Sequence, residues 1–176
     1  VLEYVEDMEN WDVSYFEGMQ SVKNGKTLVN LVTKTVIKGS QPKFDGDTIT
    51  LTTTTNDAWC STTLETVGMK AGRTYLLYTD SITYDDSLSS SPNFKSIVAL
   101  YEMTPNRNLG GLVSNGSIKL TIPSDVDGSD IGLRIHATLQ EGTGGIGKTT
   151  TVKGLKIIEY QQGMENWDIP YFEGMQ

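Results

Sequence analysis

From Gly132 to Gln140 the chain alternates residue by residue, with Leu133, Ile135, Ala137 and Leu139 on one side and Arg134, His136, Thr138 and Gln140 on the other. Successive side chains of a strand point to opposite faces, so the pattern predicts a strand with a core-facing apolar side and a solvated polar side. Other strand-like runs cover Leu28 to Lys38, Thr48 to Thr55, Trp59 to Thr66, Thr74 to Tyr84, Lys95 to Met103, Ser117 to Pro123 and Thr149 to Tyr160. Turn signals separate them, among them Phe44-Asp45-Gly46-Asp47 and Met69-Lys70-Ala71-Gly72, and a polar loop spans Asp85 to Asn93. No segment carries helical periodicity over three turns. About eight strands without a long helix predict an all-β, two-sheet β-sandwich of the jelly-roll kind.

Composition agrees. Thr recurs in runs such as Thr52-Thr53-Thr54-Thr55 and Thr149-Thr150-Thr151, and the 18 glycines supply turns. Against 14 Lys and Arg stand 22 Asp and Glu, a formal charge of −8, which opposes binding to nucleic acid or anionic lipid. The lone cysteine, Cys60, excludes an intramolecular disulfide and any cysteine zinc cluster, and reads as a small hydrophobe. No apolar run approaches the roughly 18 residues of a membrane span, and no leader pattern is present.

The chain also repeats itself. Met8 to Gln20, MENWDVSYFEGMQ, recurs as Met164 to Gln176, MENWDIPYFEGMQ, identical at 11 of 13 positions, and Val1-Leu2-Glu3-Tyr4 parallels Ile157-Ile158-Glu159-Tyr160. We expect residues 1–7 to be the tail of a preceding repeat, 8–20 a connector, 21–160 the sandwich, and 161–176 the next connector. A flexible tether would be rich in Gly and Ser. This connector instead carries Trp11, Tyr15, Phe16 and Met19, which return as Trp167, Tyr171, Phe172 and Met175. Their apolar area predicts an inter-domain clasp that fixes successive modules as a stiff rod, with neighbouring copies of the repeat as partners.

Gly142 to Thr149, GTGGIGKT, fits the phosphate-loop pattern G-x-x-x-x-G-K-[ST]. That loop needs a helix after it, whose N-terminal amides hold the phosphates, but the residues that follow, TTVKGLKII, are β-branched and broken by Gly154. A glycine-rich hairpin loop without nucleotide is expected. Asp125-Val126-Asp127-Gly128-Ser129-Asp130 gathers three carboxylates but lacks the spacing of a helix-loop-helix calcium site, so it reads as a polar turn, with structural calcium as the alternative. No other cofactor is implied. His136 is the only histidine, and no carboxylate pair is placed for glycoside hydrolysis, so an enzyme is not expected. A sugar ring stacks its apolar face on Trp or Tyr while its hydroxyls meet polar groups; Trp59, Tyr78, Arg134 and His136 are the candidates for carbohydrate binding.

The stretches TITLTTTTNDAWCSTTLE, MKAGRTYLLYTDS, SIVALYE, NGSIKLTIPSDVDGSDIGLRIHATL and TVKGLKIIEY resemble the carbohydrate-binding-module-like, galactose-binding-type jelly rolls of phage and prophage tail and baseplate-associated proteins of Gram-positive bacteria. The connector WDIPYFEGMQ resembles a segment that recurs between modules of such proteins. The resemblance implies a non-enzymatic module of a virion tail or fibre, extracellular and directed to the cell surface. Its role would be to contact host cell-wall glycan or to serve as a structural spacer.

Overall fold

The computed structural model of the chain describes residues 21–23, 26–54, 61–85, 96–137 and 146–164. Its strands are β1 (Ser21–Lys23), β2 (Lys26–Leu28), β3 (Val32–Gly39), β4 (Lys43–Asp45), β5 (Thr48–Thr52), β6 (Ser61–Thr66), β7 (Thr74–Thr79), β8 (Ser81–Tyr84), β9 (Val98–Glu102), β10 (Arg107–Leu112), β11 (Gly116–Thr121), β12 (Ile131–His136), β13 (Thr149–Lys153) and β14 (Lys156–Glu159). One layer is a five-stranded antiparallel sheet in the order β10-β9-β12-β6-β3. The other comprises two shorter sheets, β4-β5-β13-β8 and β11-β7-β14.

The two shorter sheets are one layer folded at a corner. β13 pairs with β8 from Thr150↔Tyr84 to Lys153↔Ser81, and β14 pairs with β7 from Lys156↔Tyr78 to Glu159↔Tyr75, in unbroken register. At the bend, Asp80 N donates to Lys153 O at 2.9 Å and Gly154 takes a φ of +64°. A Cβ at 154 would overlap the Asp80 carboxylate, so glycine is required there on two counts.

The core lies between the layers. Leu64, Val98, Leu100, Leu133 and Ile135 from the five-stranded sheet meet Ile49, Leu51, Tyr75, Leu77, Leu120, Val152 and Ile157 from the bent layer. In β5, Ile49 and Leu51 point inward between outward threonines, which is the alternation of a half-buried strand. Each fully buried aliphatic side chain contributes roughly 1.5–3 kcal/mol. The fold is an all-β sandwich, as the hydrophobic pattern predicts.

Several boundaries differ from expectation. Thr74 to Tyr84 and Thr149 to Tyr160 each read as one strand, but each breaks at the corner and serves both halves of the bent layer. Leu28 to Lys38 divides because Asn30 leaves the ladder to bond with β14. β10, RNLGGL, escaped the pattern because Gly110 and Gly111 remove the alternation. The glycines are there for space: a Cβ at Gly111 would strike Val98 O and Ala99.

Candidate functional site

On β12, Leu133, Ile135 and Ala137 face the core as expected. Arg134 and His136 are on the opposite face, but the expected solvation is wrong: they are only 4% and 1% exposed. Two neighbours explain it. β12 is a central strand between β6 and β9, and Tyr101 of β9 lies across it, with the Arg134 guanidinium carbon 3.9 Å from the ring centroid. The His136 ring meets the same tyrosine edge-on at 6.2 Å.

The turn between β9 and β10 completes the cover. Asn106 adopts a φ of 72°, a left-handed conformation that asparagine tolerates better than most residues, and its Oδ1 accepts from Arg134 Nη2 at 2.7 Å. Arg134 Nε is buried without a hydrogen-bond partner. Burial disfavours the charged guanidinium and lowers its pKa, opposed by the interaction with Tyr101. Nearby, Arg107 Nε lies 2.8 Å from Glu102 Oε2, a close ion pair rather than an aligned hydrogen bond. This layer can hold the sheet and the turn together, but it presents no open ring for stacking.

Of the other carbohydrate candidates, Trp59 is outside the described residues. Tyr78, half-buried on β7, faces its cross-strand partner Lys156, whose Nζ sits 4.3 Å from the ring centroid. Tyr78 is thus on a different layer from Arg134 and His136, so the three described candidates do not converge. Among the described residues the large exposed hydrophobics are Ile37, Val67 and Ile146, none of them aromatic.

The carboxylates of the Asp125 to Asp130 turn are each engaged locally. Asp127 accepts from Ser129 N at 2.9 Å, a bond that lowers its pKa, while Asp130 Oδ2 accepts from Thr104 N at 2.8 Å and Asp125 lies 3.8 Å from Arg107. Among the described residues no group of three His, Cys, Asp or Glu is placed to hold a metal ion. After the glycine-rich segment, Thr149 opens β13, which lies between β5 and β8, and Gly147 N donates to Thr53 O at 2.7 Å. A strand therefore follows where a phosphate loop needs a helix.

The second locus is on the outer side of β7 and β14. Leu28, Leu76, Ile158 and Met164 form a small apolar cluster of their own, with Tyr160 packed against it. Leu28 arrives there because the segment after β2 runs along the free edge of β14. Asn30 Oδ1 accepts from Ile157 N, its Nδ2 donates to Leu155 O, and Leu31 N donates to Ile157 O at 2.8 Å. Met164 caps the cluster and is 1% exposed; its Sδ accepts from Gln161 N at 2.9 Å.

Met164 is the first residue of the second copy of the repeated segment. It was missing from the predicted clasp, which rested on aromatics and on Met19 and Met175; its recurrence as Met8 was the available signal. Trp11, Tyr15, Phe16, Met19, Trp167, Tyr171, Phe172 and Met175 all lie outside the described residues. No family model matches the chain, and neither does any curated protein or solved structure.

Proposed function

We propose that the chain is a non-enzymatic β-sandwich repeat module that builds an ordered tandem array. The resemblance to phage tail and fibre proteins supplies the setting: a virion or extracellular structure directed to a cell surface. One observation carries the reading: the repeated segment of the connector begins with a residue, Met164, that is built into the sandwich rather than leaving it as a tether. Anchored there, the connector starts from a fixed point on each module. The large apolar side chains that follow, Trp167, Tyr171 and Phe172, have area worth about 4–6 kcal/mol each to bury, at roughly 25 cal/mol per Å² over about 150–250 Å². A neighbouring module is the surface at hand in an array. Among the described residues Tyr75 and Tyr101 are buried and Tyr78, Tyr84 and Tyr160 are half-buried, so none of these offers an open platform, which favours the spacer role over glycan binding.

The test is a two-module chain, residues 1–176 followed by a second copy of 21–176, studied by small-angle scattering. A narrow distribution of lengths is expected in the parent, broadened by Trp167→Ser with Phe172→Ser. A parent that is already broad, and unchanged by the substitutions, would show that the connector is only a tether.

A further inference from the structure

The chain enters and leaves the sandwich at one place. Ser21 directly follows the first connector and is the antiparallel partner of Leu28, so their backbones lie about 5 Å apart. Leu28 belongs to the same apolar cluster as Met164, where the next connector starts. Between those two points the chain builds the whole sandwich and returns. We infer that successive modules attach by a shared pole: the sandwiches sit side by side, each joined to the next through the end that carries Ser21 and the Leu28-Leu76-Ile158-Met164 socket. This rests on the array reading of the preceding subsection.

The repeat extends the inference across the joint. Met8 corresponds to Met164 and Leu2 to Ile158, so two of the four socket positions recur in the sequence one period earlier. The partner of the module is a second copy of itself. The spacing between neighbouring poles is bounded by the reach of thirteen residues, about 45 Å when fully extended, and does not include the length of the sandwich. In a pole-to-pole thread, by contrast, each period would add the sandwich as well, about 37 Å across for a radius of gyration near 14 Å.

A three-module chain, with Cys60→Ser in every module and spin labels at Ser21→Cys and Gln162→Cys of the middle module, distinguishes the two. A label separation within roughly 30 Å, short of the sandwich width, is expected. A separation near or above the full width would overturn the shared pole and leave the ordered array standing. If that distance is short but scattering from the same chain shows a broad spread of lengths, the array reading fails and this inference fails with it.

Discussion

Tyr75 shows how one side chain ties a loop to the core. It is fully buried, and its hydroxyl accepts from Lys70 N at 2.7 Å, fixing the turn that precedes β7. Burial raises its pKa above the ordinary value of 10.0, partly offset by that hydrogen bond. The raised value means the folded state holds the phenolic proton more tightly than the unfolded chain does. Stability on this account is fully present below about pH 10 and falls as pH rises from there toward the folded-state pKa. Denaturant unfolding between pH 8 and pH 11 should show this decline, and Tyr75→Phe should flatten it while costing about 1 kcal/mol at pH 8 for the lost acceptor. An equal alkaline slope in the variant would assign the decline elsewhere. Leu133 and Ile135 were legible as core from alternation alone. Arg134 and His136 were not, because alternation tells one face from the other but does not reveal that the second face is also covered. What covers Arg134 is a long-range matter: Tyr101 from another strand and Asn106 from a turn in the left-handed region.

At the scale of elements, the corner is the feature on which the bent layer depends. Asp80 and Gly154 face each other where β8 meets β7 and β13 meets β14, and Gly154 N also donates to Asp47 O at 3.0 Å. Gly154→Ala must place a Cβ at positive φ and against a carboxylate, so it should destabilise by more than about 1 kcal/mol, read as a lowered denaturation midpoint at unchanged m-value. Asp80→Ala in the same chain should recover the steric part only. A neutral Gly154→Ala would mean the corner relaxes and that the layer is less constrained than its register implies. The sequence showed Gly154 as an interruption of a strand-like run, which is a sound signal for a bend. It held no comparable mark at Asp80, since a lone Asp between Thr79 and Ser81 looks like ordinary polar alternation. Asn30 was equally silent: one side chain does the work of a strand by accepting from Ile157 N and donating to Leu155 O, and only the fold brings those partners together.

At the scale of the whole molecule, the internal repeat was the strongest feature of the sequence, and Met164 gives it a structural foothold. The apolar cluster around Met164 is separate from the main core, so the start of the connector adds its own small packing unit to the outer side of β7 and β14. The repeat was visible because identity at 11 of 13 positions needs no folding to detect. The socket was not, because Leu28, Leu76 and Ile158 meet only after the chain has closed the sandwich. We propose that this anchorage holds neighbouring modules in a fixed relation. The most direct measurement is the distance distribution between spin labels placed at the exposed Lys43 of each module in a two-module chain, with Cys60→Ser in both. A single narrow distance is predicted for the parent, broadened by Met164→Asp and by the milder Met164→Ser in chains that remain folded by circular dichroism. A distribution as broad in the parent as in either variant would contradict the claim.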